Sequence, residues 1–354
     1  MKKIVLKYIK KKLESLKWRL GLIINEHFSN LFYKYFFSYH FRPKYVKGIS
    51  TITANRIEPD LFAIVMQGPI QKENQFTIET IKLYNQTFNG AQIILSTWED
   101  ENSKIIDEAI SLGAEIILNK KPTIFGPFNI NLQLVSSQNG IQLANDHGVK
   151  YIMKTRTDQR FYRHDIFNYF TNLLEAFPLK ECKHQFERLI TMSFGTCKYR
   201  KYGITDFMMF GDSRDMLSYW GVDLYEEGIK PIVESDSTSI PPVMGGVPIA
   251  SEIYLAVKYL VHLGIKPDWT ITQYWDYLRN YFCVVDGMAL DVCWDKYFKL
   301  KEYRYTRDYS DTNPRAMEFA DWLQLYNQKD VNWEHVRELE RWGYHNGNLE
   351  IMKL

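Results

Sequence analysis

The sequence lacks most of the features that would announce its chemistry directly. Its four cysteines, Cys182, Cys197, Cys283 and Cys293, are scattered, with no CxxC pair and no histidine pattern beside them. That spacing excludes a zinc-ribbon site and a disulfide framework, and it predicts a reducing compartment. No apolar run approaches the roughly 18 residues that a membrane span needs. The opening residues are too often interrupted by lysine to form a signal peptide, so the expectation is a cytoplasmic protein. No GxGxxG or GxxxxGK[ST] pattern follows the first predicted strand, so neither a dinucleotide fingerprint nor a P-loop is supported. A Gly-x-Ser-x-Gly turn for a hydrolase nucleophile is missing too.

Acidic residues are scarce at one end only. Up to Lys47 there are 12 Lys or Arg against Glu14 and Glu26, a net +10, which leaves −8 for the rest of a chain whose total is +2. A basic arm on a mildly acidic body predicts that the arm alone meets an anionic surface. Ile4, Val5, Tyr8, Ile9, Leu13, Leu16, Leu20, Ile23 and Ile24 recur at helical spacing among the lysines. Residues 1–37 therefore read as one or two amphipathic helices, suited either to the anionic inner face of a membrane or to packing on protein. Basic residues and aromatics do not interleave elsewhere, so nucleic acid is not an expected partner.

What the sequence has is a repeat of strand and helix. After a linker over 38–57, Leu61–Met66 is a continuous apolar run of the kind buried in a parallel sheet. A helix over Asn74–Thr87, a strand over Ala91–Glu99, a helix over Asn102–Leu112 and a strand over Ala114–Leu118 follow. The loop Asn119–Asn129, a helix over Asn131–His147 and the strand from Tyr151 complete the first half. This alternation predicts right-handed βαβ units in a mainly parallel sheet flanked by helices. In such a sheet, ligands bind outside the carboxyl ends of the strands. The expected site is therefore the meeting of Gln67-Gly68-Pro69, Thr97-Trp98-Glu99 and Arg156-Thr-Asp158-Gln-Arg160.

Beyond Arg163, a helix to Leu174, a strand over Arg188–Ser193, a strand over Thr205–Asp212 and a helix over Ser213–Trp220 are predicted. Residues 228–247 read as a mobile loop, and Pro248–Leu255 opens a helix to His262. A strand and turn within Asp286–Lys301 and helix over Pro314–Leu354 close the chain. The expected domains are a basic arm (1–47), a catalytic domain (58–265, halves 58–165 and 186–265) and a mostly helical extension (266–354).

Met66-Gln-Gly-Pro-Ile70, Ser96-Thr-Trp-Glu99, Lys154-Thr-Arg-Thr-Asp-Gln-Arg160, Asp206-Phe-Met-Met-Phe-Gly211 and Ser251-Glu-Ile-Tyr-Leu255 occur in this order. Together they resemble the WavE lipopolysaccharide-synthesis family over roughly residues 58–265. The resemblance implies a GT-A-like fold, with a nucleotide-sugar half followed by an acceptor half. It also implies glycosyl transfer from a nucleotide sugar to a lipopolysaccharide core, O-antigen or capsule oligosaccharide. A GT-A enzyme usually carries Asp-x-Asp after its fourth strand, whereas this chain offers Thr155-Arg-Thr-Asp158 with one carboxylate.

On that reading, Gln67, Gly68, Pro69, Thr97, Trp98 and Glu99 seat the nucleoside, the indole stacking on the base and the carboxylate holding ribose hydroxyls. The diphosphate charge falls either to Mg²⁺ or Mn²⁺ on Asp158 or directly to Arg156 and Arg160. The single carboxylate leaves both routes open, with metal assistance the preferred one. Glu252, at the start of a helix, is the expected catalytic base and Asp206 its competitor. Two other classes fit the chain. One is a non-catalytic assembly factor of a polysaccharide-synthesis complex, and the other is a sugar-phosphate transferase. The second would want a glycine- and lysine-rich first loop, which Gln67-Gly-Pro-Ile-Gln71 is not.

Overall fold

The computed structural model describes residues 61–180, 184–226 apart from 199, 250–295 and 316–328, the stretch 42–49, and single positions or pairs elsewhere. The chain divides into two compact units, Met1–Pro43 and Lys44–Leu354. In the first, the described positions Lys12, Leu13, Leu16, Arg19, Leu20, Gly21, Ile23, Ile24 and His27 are helical.

The second unit is built on a seven-stranded sheet. Its first strands are β1 (Phe62–Gln67), β2 (Gln92–Trp98), β3 (Glu115–Asn119) and β4 (Tyr151–Arg156). They are linked by α1 (Phe76–Thr87), α2 (Ser103–Ser111) and α3 (Ile130–Asp146). β1 is buried at every position because helices cover both faces, which is why its sequence is continuously apolar rather than alternating. β3 lies at the sheet edge and exposes Glu115, which blunts that edge.

β4 ends at Arg156, the chain turns, and β5 (Gln159–Phe161) leaves the main sheet. Helix α4 (Ile166–Ala176) then packs Phe167 on Phe62, with ring centroids 4.4 Å apart. β6 (Leu189–Met192), β7 (Met209–Asp212) and α5 (Ser213–Trp220) follow. Asp212 caps α5 by accepting from Arg214 N at 3.0 Å. Of the loop expected over 228–247, only the pairing of β8 (Val243–Met244) with β9 (Val247–Pro248) is described; the rest lies outside the described residues. Then come α6 (Ser251–His262), α7 (Ile271–Tyr281), β10 (Phe282–Val285), β11 (Val292–Trp294) and α8 (Phe319–Asn327). The remainder of the helix expected over Pro314–Leu354 lies outside the described residues apart from Ala316–Gln328.

The strand order is β10-β6-β7-β4-β1-β2-β3. Every pairing in it is parallel except the two made by β7, which runs antiparallel between β4 and β6. The expected mainly parallel α/β sheet is thus present. α7 and β10, absent from the predicted elements, carry the sheet beyond residue 265, since β10 pairs with β6. β11 pairs with β5 beside the sheet.

Candidate active site

The reversed strand positions the site. Because β7 is antiparallel, the residues preceding it lie at the same sheet edge as the carboxyl ends of β1, β2, β4 and β6. Lys154 of β4 pairs with Met209 of β7, which brings Asp206, a few residues upstream, beside the end of β4. Gln67 pairs with both Arg156 and Ser96, so the first three predicted strand ends do converge.

At the end of β1 the turn is internally satisfied. Gly68, at φ +112°, donates its N–H to Ser96 O at 3.1 Å. A Cβ there would come 3.3 Å from Thr157 Oγ1, whose hydroxyl donates to Pro69 O at 2.6 Å. Gln67 is buried, and its Oε1 accepts from Ser136 Oγ of α3 at 2.9 Å. At the end of β2, Trp98 is only 5 % exposed, which leaves little ring surface for a nucleobase. Thr97 is buried, its hydroxyl without a partner among the described residues. Glu99 is exposed beside them.

At the end of β4, Arg156 and Asp158 form a fork. Arg156 Nε reaches Asp158 Oδ1 at 2.8 Å and Nη2 reaches Oδ2 at 2.9 Å. Asp158 is buried, while Arg156 keeps part of its side chain exposed beside Trp294, 5.6 Å from the ring centroid. Asp158 thus gives both oxygens to one guanidinium, and no three metal-ligating side chains gather among the described residues. As placed, a Mg²⁺ or Mn²⁺ on Asp158 would need this fork to open and the rest of its shell to come from substrate oxygens and water.

Arg160 is elsewhere. The turn at Thr157–Asp158 ends the extended run that would have kept it on the face of Arg156. Its guanidinium is buried, donating to Thr80 Oγ1 (2.9 Å), Lys44 O (2.8 Å) and Phe76 O (2.8 Å), and stacks on Phe76 at 4.3 Å. It ties α1 to β5 and to Lys44, its donors directed at protein acceptors.

The two carboxylates expected as base come together. Asp206 is fully buried, and burial with the neighbouring Glu252 charge pushes its carboxyl above the usual range, while Lys154 and Arg156 pull it down. Glu252, in the first turn of α6, is ion-paired with Arg200 at the more open flank of the cluster. The Tyr219 hydroxyl of α5 is buried near both carboxylates, without a hydrogen-bond partner among the described residues, and both raise its pKa further.

Three residues that sequence reasoning passed over complete the site. Lys154 is buried in β4, donates to Asp206 O at 2.5 Å and lies 4.1 Å over the Trp220 ring. Gln133 Nε2 donates to the same carbonyl at 3.2 Å, and Ser136 holds Gln67. A lysine inside a run otherwise as apolar as Tyr151–Met153 was the available signal. Gln133 and Ser136 gave none, because polar residues on a helix usually face water.

The assembled edge carries a partly exposed guanidinium and carboxylate pair above a buried lysine, two acids and a phenol. It can neutralise an anion and accept a proton at the same sheet edge.

The family model for WavE lipopolysaccharide synthesis matches residues 62–346. The match runs past the 58–265 stretch that carries the sequence resemblance and takes in α7, β10, β11 and α8. No curated protein matches. Among solved structures, a cytidylyltransferase from Leptospira borgpetersenii is similar at 11% identity, covering 47% of this chain and 66% of that one, with a TM-score of 0.29. The 4-diphosphocytidyl-2C-methyl-D-erythritol synthase from Anaerococcus prevotii is similar at 11% identity, with 67% and 97% covered and a TM-score of 0.35. A protein described as a nucleotide-diphospho-sugar transferase from Desulfovibrio desulfuricans is similar at 10% identity, with 77% and 100% covered and a TM-score of 0.34. At scores of this size the fold description rests on the strand order itself.

Proposed function

The chain belongs to the WavE lipopolysaccharide synthesis family, and from that premise we propose that it is a glycosyltransferase. Its donor is a nucleotide sugar and its acceptor a lipopolysaccharide core, O-antigen or capsule oligosaccharide. The observation that carries this reading is the meeting of Asp206 and Glu252 with Arg156 and Lys154 at the carboxyl edge of the sheet.

The nucleoside lies over the ends of β1 and β2, where the exposed Glu99 accepts from ribose hydroxyls. Arg156 leaves Asp158 for the diphosphate, whose oxygens match the guanidinium fork. Asp206 takes the proton of the acceptor hydroxyl as its oxygen attacks the anomeric carbon. The bond from that carbon to the diphosphate oxygen breaks, and the nucleoside diphosphate leaves with the electron pair. A carboxylate pushed upwards by burial is a better base than an ordinary aspartate. Glu252, held by Arg200, contributes the negative charge that raises it and lies on the acceptor side. The diphosphate charge is met by protein cations, so turnover does not require a divalent ion.

The basic arm holds the enzyme on the anionic inner face of the membrane, where a lipid-linked acceptor lies. Leu13, Leu16, Leu20, Ile23 and Ile24 are 51–61 % exposed on it, an apolar stripe in a segment of net +10. Among the described residues no helix is long and apolar enough to cross a membrane.

The test is release of nucleoside diphosphate from UDP-, GDP- and CMP-linked sugars, the last releasing the monophosphate, with and without an oligosaccharide extract. Turnover of one donor, lost in Asp206→Asn, supports the assignment. Turnover of none by folded protein overturns it.

A further inference from the structure

Lys154 is fully buried on a central strand, between neighbours of apolar or hydroxyl character, Met153 and Thr155 along the chain, and opposite Val65 and Met209. An ammonium there is expensive to desolvate, and a methionine would fill the space without that cost. The Trp220 ring, 4.1 Å away, and the Asp158 charge offset part of the cost, and the hydrogen bond leads to one place. Lys154 Nζ donates to the main-chain carbonyl of Asp206, and Gln133 of α3 donates to the same oxygen. The peptide carrying Asp206 is therefore gripped from β4 and α3, both in the half assigned to the donor, although Asp206 belongs to the half assigned to the acceptor.

The charged and titratable groups facing Asp206 are Lys154 and Arg156 from β4, Glu252 from α6 and Tyr219 from α5. Asp158 and Arg156 also face Lys154. Burial lowers Lys154 to about 7 and raises Asp206, while each ion stabilises the other. The charge that the pair carries therefore depends on mutual support.

We propose that Lys154 is a positioning residue: with Gln133 it clamps the Asp206 main chain against the donor half, and its charge keeps the Asp206 carboxylate ionised for the acceptor hydroxyl. The inference rests on Asp206 being the base. It makes the base answerable to the donor half, because whatever displaces β4 or the first turns of α3 moves the proton acceptor with them.

The experiment is a ¹³C-carboxyl NMR titration of the full chain labelled at aspartate, with the Asp206 signal assigned by its loss in Asp206→Asn. In Lys154→Met the Asp206 titration should move up, because the Lys154 charge is one of those that pull it down. Lys154→Arg should return it towards the wild-type position. In the nucleotide-sugar turnover assay, the acid limb of kcat should move with it, and kcat should fall roughly 10²-fold from misplacement, with donor KM unchanged. A folded Lys154→Met whose Asp206 titration and acid limb both stay at wild-type positions overturns the proposal.

Should Lys154→Met not fold, Gln133→Ala cuts the second grip without altering charge. A lower kcat then supports the clamp, the Asp206 titration moving up only for the lost Gln133 hydrogen bond, and an unchanged kcat overturns it. Wild-type turnover by Asp206→Asn would instead remove Asp206 as base. The titration arm separates that failure from failure of the Lys154 coupling.

Discussion

Asp206 and Arg160 are both buried, and their surroundings give them different roles. Asp206 is raised by burial and by Glu252, so it accepts a proton at a higher pH than an exposed aspartate would. Activity should therefore rise with pH through a limb above the ordinary carboxylate range, because only the ionised form is a base. Asp206→Asn should remove that limb and lower kcat by about 10²–10⁴-fold, as read from a kcat–pH profile. Arg160 carries a different lesson. Its guanidinium donates to two main-chain carbonyls and a threonine, so Arg160→Ala takes a buried donor from each, although Thr80 Oγ1 still donates to Phe76 O at 2.7 Å. The expected loss is roughly 2–5 kcal/mol of stability in urea unfolding, with nucleotide affinity of the folded protein unchanged. A large loss of affinity without loss of stability would return Arg160 to the binding site.

At the scale of elements, α3 sets the depth of the site. Gly140 lets it lie close against the sheet, where a Cβ would come 2.4 Å from Val65 Cγ1 and 3.2 Å from Ser96 Cβ. Gly140→Ala must push α3 away, taking Gln133 and Ser136 with it. Overpacking of this kind costs about 1–3 kcal/mol, and the displacement should weaken turnover beyond what the loss of folded protein explains. Thermal unfolding and specific activity of the same sample check it. The strands, their ends and their convergence were legible because a buried parallel strand is a continuous apolar run that ends in polar residues. The reversal of β7 was not, since Met209–Asp212 has the same apolar pattern in either direction. The departure of Arg160 hung on the turn at Thr157–Asp158, where a change of face cannot be read from residue types. β10 was missed because Phe282–Val285 follows α7 without a Gly or Pro to mark the boundary.

At the scale of the whole molecule, the family match spans the sheet and reaches residue 346, so it takes in the C-terminal strands β10 and β11. The arm through Lys47 keeps its net +10 and an exposed apolar stripe. Replacing Leu16, Leu20 and Ile23 with Gln should abolish sedimentation with phosphatidylglycerol vesicles, and salt should weaken the wild-type binding. Equal sedimentation of both proteins would assign the arm another partner.

The most direct test of the central claim is calorimetric titration of the full chain with UDP, GDP, CMP and their sugars, with and without Mn²⁺, on wild type, Arg156→Ala and Asp158→Ala. Micromolar binding of one nucleotide is expected, persisting without Mn²⁺ and lost in Arg156→Ala. Binding that requires Mn²⁺ and is lost in Asp158→Ala would give the diphosphate to a metal on Asp158. No nucleotide bound by folded protein would contradict the transferase reading and leave the assembly-factor role in its place.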